Sequence, residues 1–295
     1  KLSLDPKKVS NDPALLAKDR RFSGPVFTFQ SIIPNFIALP YIDRFSRVED
    51  FNLGRTFSFS LQAAPKFFGS KENAFLFTSN FSKGSKLTSR SFVRGEIGLS
   101  TRLQKGDFEN SLFRAEGRYY NVLGKLGSKN FNLGKHTLAA GWFLEYGVNL
   151  DKDRELLIGA DNALRGYKAR SFTGNKRTAL MVEDRIHLIE NILDLFSLGL
   201  AVFADVGGST TKPISKLFSD SMYGDFGLGL RIGFLRSSGE RVLRIDLAVP
   251  WRDAPDGTSQ FEPRLTVSVG QIFSALLGTE LKGAEKASVD IGFDK

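Results

Sequence analysis

The sequence predicts an all-β protein, a transmembrane antiparallel β-barrel of about twelve strands. Three observations carry that expectation. Apolar and polar residues alternate with a period of two in segment after segment, the period at which a strand's side chains change face. The polar positions hold Arg, Glu and Asp, which suit a wet or ion-paired lumen and not the apolar interior of a β-sandwich. Phe and Gly are abundant, 27 and 29 of 295 residues, yet mean hydropathy is only −0.15, as strands greasy on one face and small or polar on the other require.

The segments, in order, are 24–32, 36–47, 53–65, 72–83, 89–103, 109–123, 135–149, 176–190, 196–208, 222–236, 239–251 and 259–273. In 56–63, Phe57, Phe59 and Leu61 oppose Thr56, Ser58, Ser60 and Gln62. In 93–103, Val93, Ile97, Leu99 and Leu103 oppose Arg94, Glu96 and Arg102, and in 113–119 Phe113, Ala115 and Tyr119 oppose Arg114, Glu116 and Arg118. Leu138, Ala140, Trp142, Leu144, Tyr146 and Val148 oppose Gly141, Phe143, Glu145 and Gly147. In MYGDFGLGLRIGF, 222–234, Met222, Phe226, Leu228, Leu230, Ile232 and Phe234 oppose Tyr223, Asp225, Arg231 and three glycines. Leu243, Ile245, Leu247, Val249 and Trp251 oppose Arg244 and Asp246. Many segments exceed the ~5–6 residues of an ordinary globular strand. Placing the apolar face toward lipid and the charged face toward a lumen reconciles length with composition. Trp251, Tyr119, Tyr120 and Tyr146 near strand ends fit an interfacial aromatic girdle.

Connections alternate in length. Turns at 191–195 and 237–238 are short, whereas 150–175 and 209–221 are long, as in outer-membrane barrels with short turns on one side and long loops on the other. The stretch 124–134 is long for the short-turn side. No run of ~18 apolar residues is present, so no membrane helix is expected. The N-terminal KLSLDPKKVSNDP lacks the apolar core of a signal peptide.

One long connection stands out. DNALRGYKARSF, 161–172, places Arg165, Gly166 and Tyr167 in a segment with neither period, followed by Lys168 and Arg170. After it come MVEDRIHL with Glu183 and Arg185, VFADVGG with Phe203, Asp205 and Gly207, LRIDLAVPW, and LTVSVGQIF with Gly270 and a terminal aromatic, Phe273. By parity Glu183 and Arg185 lie opposite Leu180, Val182 and Ile186, and Asp205 shares a face with Phe203 and Gly207.

These segments, in this order, resemble the Omp85 superfamily of outer-membrane barrels, which includes the BamA, TamA, two-partner-secretion and surface antigen D15 types. The resemblance spans roughly 160–273; residues 1–130 match only in general barrel style. It implies a loop-six plug carrying Arg165-Gly166-Tyr167, an extracellular loop folded into the lumen, where Arg165 meets Asp205 and Glu183. It implies a sixteen-stranded barrel in the outer membrane of a Gram-negative bacterium that inserts or translocates client proteins without covalent catalysis. Implied partners are outer-membrane lipid and lipopolysaccharide, client outer-membrane or secreted proteins, and periplasmic accessory proteins. Gly166 serves close approach or positive φ. The expected organisation is a lead-in at 1–22, the barrel at 23–273 and a C-terminal extension at 274–295. POTRA-like stretches are not visible, and a tail follows Phe273 where family chains end.

Other chemistry finds little footing. Zero Cys removes thiolate chemistry, disulfides and Cys-based zinc sites. His187 is expected to be structural and inward, His136 solvated at a strand start. LDKDRE, 150–155, lacks the glycine and spacing of a calcium loop. GLGLRIG precedes no helix and is no phosphate loop. No cofactor or metal is expected. The formal charge of +9 permits an anionic partner, but the Arg-aromatic interleaving follows strand parity, so nucleic acid is not expected. Two other classes stay open: a passive pore, and the membrane anchor of an enzymatic domain upstream.

Overall fold

A computed structural model describes residues 19–45, 47–128, 131–236 and 242–270. In chain order its strands are β1 (Val26–Ile33), β2 (Phe36–Pro40), β3 (Val48–Asn52), β4 (Arg55–Ala64), β5 (Ala74–Lys86), β6 (Ser91–Gln104), β7 (Asp107–Ser128), β8 (Phe131–Val148), β9 (Leu156–Ile158), β10 (Phe172–Gly174), β11 (Lys176–Ile192), β12 (Phe196–Thr210), β13 (Tyr223–Phe234), β14 (Val242–Pro250) and β15 (Arg264–Val269). Eleven of them form one antiparallel sheet in the order β1-β4-β5-β6-β7-β8-β11-β12-β13-β14-β15. Its edges, β1 and β15, have no strand partner among the described residues. With eleven antiparallel strands the two edges run in the same direction. No helix of the described chain is long and apolar enough to cross a membrane.

The ladders stack the predicted alternation into rows. Leu138, Asp184, Val202, Leu228, Leu247 and Leu265 follow one another across neighbouring strands on one face. On the other face one row is Met181, Asp205 and Asp225; the next is Ala139, Glu183, Phe203, Gly227 and Ala248; the next Thr137, Arg185, Ala201, Gly229 and Asp246; and the next Lys135, His187, Gly199, Arg231 and Arg244. Burial is inverted relative to a water-soluble protein. Leu228 and Val267 are each 63% exposed, whereas Glu183 is fully buried, and Arg165, Arg185 and Arg231 are among the largest fully buried side chains. A continuous bare apolar face of this kind needs a non-aqueous cover.

Two inserts fill the polar face. Connection 150–175 lies at the end where β8 meets β11 and carries the short β9–β10 hairpin. Connection 34–54 lies at the opposite end and forms the β2–β3 hairpin, a separate two-stranded sheet. Small residues facing them, Ala139, Ala201, Gly199 and Gly227, leave the room.

Several expectations are corrected. Segment 36–47 is not a strand of the main sheet: Pro34 lacks an amide hydrogen, the ladder turns off there, and Leu53 N donates to Asn35 O at the base of the diverging hairpin. Of the long stretch 124–134, residues 124–128 and 131–134 are strand, because bulges after Val122 and Lys125 let β7 and β8 stay paired as far as Ser128 and Phe131. Among its described residues, segment 259–273 joins the ladder only over β15; Phe261 has a φ of 60° and Pro263 has no amide to donate. Connection 209–221 contains a short helix, α1 (Ile214–Asp220). Tyr120 is no girdle residue. It is 2% exposed on the polar face, its ring 5.2 Å from Phe92. His136 is buried, 2.8 Å from Asp184 on the apolar face, where pairing lowers the cost of the half-buried carboxylate. Phe273, all of 274–295 and residues 1–18 lie outside the described residues.

Candidate functional site

The site is a buried ion network between connection 150–175 and the polar face of β11–β14. The loop first shapes itself. Gly159 N donates to Asn162 Oδ1 at 3.0 Å, and Ala163 and Leu164 N donate back to Gly159 O at 2.9 Å. This turn, closed by Asn162 accepting from an amide three residues before it, directs Ala163, Leu164 and Arg165 toward the sheet. Lys168 and Arg170 remain exposed, and Lys168 Nζ donates to Asp256 O at 2.8 Å in connection 251–263.

Arg165 is 2% exposed. Its Nε and Nη2 donate to Asp205 Oδ2 and Oδ1 at 2.7 and 2.9 Å, a two-pronged pair, while Nη1 donates to Glu183 Oε2 at 2.8 Å. The Phe203 ring lies under the guanidinium, centroid 3.4 Å from Cζ. Burial disfavours the charge, but the Asp205, Glu183 and Asp246 carboxylates outweigh it and hold Arg165 above the ordinary arginine pKa.

Gly166 is required by space, not by φ. A Cβ there would sit 2.7 Å from Asp225 Cβ and 3.0 Å from Pro250 N. Tyr167 follows into a pocket with no exposed surface. Its hydroxyl lies 3.0 Å from Gly224 O and 3.1 Å from Arg252 O, and its ring meets Phe172 and Tyr223 edge-on. Burial pushes its hydroxyl up to about 12.

Glu183 is the hub. Besides Arg165 it accepts from Arg185 Nε at 3.1 Å and Arg231 Nη2 at 3.2 Å. Arg231 Nη1 also donates to Asp246 Oδ1 at 2.5 Å. Of the residues singled out from sequence, Arg165, Gly166, Tyr167, Glu183, Arg185, Phe203 and Asp205 meet at this one place. Gly207 lies farther along β12, where a Cβ would be 2.7 Å from Thr178 O, so its part is close strand pairing. Gly270, with a φ of 92°, ends β15 and donates to Val242 O; it is remote from the network. Arg231, Asp246 and Asp225 were not singled out. Parity had placed all three on the inner face, so the signal was present without the distance.

Arg185 extends the network to the β2–β3 hairpin. Its Nη1 donates to Ile42 O at 2.5 Å and to Asp43 Oδ1 at 3.1 Å. Within the hairpin, Glu49 Oε1 accepts from Asp43 N and Arg44 N at 2.9 and 3.0 Å. Burial, with the Asp43 carboxylate alongside, raises Glu49 to about 7 against backbone bonds and Arg44 that lower it. Its titratable or charged neighbours are Asp43 and Arg44 on the hairpin and Tyr120 on β7. The docked hairpin therefore binds this proton more tightly than a released one, whose Glu49 would titrate near 4.5. Docking is strongest below that value and weakens as pH rises to about 7. A spin label on Val48→Cys is expected to become more mobile over that window, and Glu49→Gln is expected to flatten the response.

Two of the three acids of 150–155 serve ion pairs: Asp151 accepts from Arg102 at 2.7 Å and Asp153 from Arg20 at 2.6 Å, while Glu155 accepts from Thr173 Oγ1 at 3.0 Å. Among the described residues no group of His, Asp and Glu could hold a metal ion. His187 packs between Phe45, 4.8 Å away and edge-on, and Tyr41. No protein-family model matches the chain, and no curated protein matches it.

Proposed function

We propose that this chain is the barrel of an outer-membrane protein-insertion or translocation factor of the Omp85 type. The observation that carries the reading is the docking of Arg165 on Asp205 and Glu183, one acid from each of two consecutive strands, by a loop whose Arg-Gly-aromatic triplet is otherwise buried. In this reading the exposed apolar face contacts lipid, the polar face lines a lumen, and 150–175 is an extracellular plug. Antiparallel closure of the described sheet takes an odd number of further strands, and the family's sixteen exceeds eleven by an odd number. The seam opens sideways, client strands add to its free edge through backbone hydrogen bonds, and no covalent step occurs. Lipid, lipopolysaccharide, client proteins and periplasmic factors are the partners. A passive pore is less favoured, because two inserts occupy the polar face.

The test is a charge-swap cycle in cells that depend on this protein. Arg165→Asp and Asp205→Arg should each abolish heat-modifiable gel mobility and lower the amount of other outer-membrane barrels. The double swap should recover both. Wild-type behaviour of both single variants would refute the reading.

A further inference from the structure

Connection 34–54 fills the polar face as the loop does. Its tip enters the polar face from the end opposite 150–175. Ile42, Phe45 and Leu53 are buried to 4% exposure or less. Phe45 wedges between two glycines of neighbouring strands: a Cβ on Gly199 would lie 2.8 Å from its ring, and one on Gly233 3.0 Å. Thr137 Oγ1 donates to Tyr41 O at 2.7 Å, and Tyr41 takes a φ of 62° to present that carbonyl. Lys135 joins the Tyr41 hydroxyl and Glu190. Phe51 stacks beside Phe92 and Tyr120 on β6 and β7. The hairpin thus reaches from β6 to β13.

The attachment is also shared. Arg185 holds Ile42 O and Asp43 with one nitrogen and Glu183 with another, and Glu183 holds Arg165. One unbroken chain of charges, the buried Asp205–Arg165–Glu183–Arg185 ending at the half-buried Asp43, runs from the loop to the hairpin.

We infer that 34–54 is a second plug, closing the mouth opposite the loop-six plug, and that Arg185 and Glu183 couple the two. The inference rests on the membrane-barrel reading. A strand connection with no gating task would be expected to be short, as β-hairpin turns are; this one spends twenty-one residues on a hairpin inside the sheet's polar face. Clients or solutes entering from the short-turn side meet it first. Freeing Arg185 from Asp43, or Arg165 from Glu183, changes the charge balance at Glu183 on which the other plug's attachment depends.

The chain has no cysteine, so a single engineered thiol is a clean reporter. Ala201 lies on the polar face between the two inserts and is 1% exposed. Ala201→Cys in liposomes should react slowly with a charged, membrane-impermeant maleimide from either side. Replacing 34–54 by Asn-Gly should raise the rate at least about tenfold when reagent is on the short-turn side, with little change from the loop side. Phe45→Asp, which keeps the chain length, should do the same and reads the point if the deletion does not fold. Equal rates with and without the hairpin would overturn the second plug. Leu228→Cys on the same liposomes tests the underlying reading separately: quenching by nitroxide lipid upholds it, and absence of quenching removes both.

Discussion

Arg165→Met is expected to cost the fold about 3–5 kcal/mol, read as a shift in the urea midpoint of refolding into lipid vesicles. Methionine fills much of the volume, so the loss is electrostatic. Asp205 loses both of its guanidinium bonds and Glu183 loses one, and both carboxylates are buried beyond the reach of bulk water. The Phe203 ring also loses the cation stacked on it. Arg165→Lys should fall between the two, because an ammonium is a point charge and does not match both Asp205 oxygens in one plane. An unchanged midpoint for Arg165→Met would mean the loop is not held by this pair.

Glu183→Gln is expected to have an effect of similar or greater size, on the order of 3–5 kcal/mol, for the opposite reason. One carboxylate serves Arg165, Arg185 and Arg231. Its neutral isostere keeps the shape and leaves three buried cations facing Asp205, Asp246 and Asp43. The amide also presents hydrogens toward guanidinium groups that can only donate. Beyond stability, the loss should loosen 150–175 and 34–54 together, so trypsin cleavage in both connections should appear at the same urea concentration. Cleavage confined to the loop would mean Arg185 holds the hairpin without Glu183.

The strands were legible in the sequence because a two-faced sheet writes its environment into every second residue. Phe226, Leu228 and Leu230 against Asp225 and Arg231 leave few other assignments for β13. The hairpin was not legible for the same reason: alternation at 36–47 fits a strand in any sheet, and only the bend after Pro34 decides which. Asp184 escaped notice because parity put a carboxylate among apolar neighbours, and its partner His136 is 48 residues away in sequence. Helix α1 is two turns long, too short for a helical period to register. In the site, Arg165, Glu183, Phe203 and Asp205 were readable through a resemblance between ordered motifs. Arg231 and Asp246 were readable only as inner-face residues, because strand parity gives a direction and not a neighbour. The hairpin's anchor, Arg185, bonds Ile42 O, a backbone atom with no side-chain signature, and Asp43, an acid 142 residues away in sequence.

On the proposed reading, the bare apolar face meets lipid and the buried ion network lines a lumen. Single cysteines at adjacent positions test it most directly: Val202, Leu228 and Leu247 on one face, Ala201 and Ala248 on the other. Each would carry a small fluorophore, in vesicles containing a nitroxide-labelled lipid. Strong quenching is expected at the first three and little at the other two, so that quenching switches between neighbours Ala201 and Val202, and again between Leu247 and Ala248. Uniform quenching across all five, or quenching of Val202, Leu228 and Leu247 by aqueous iodide and not by lipid, would contradict it.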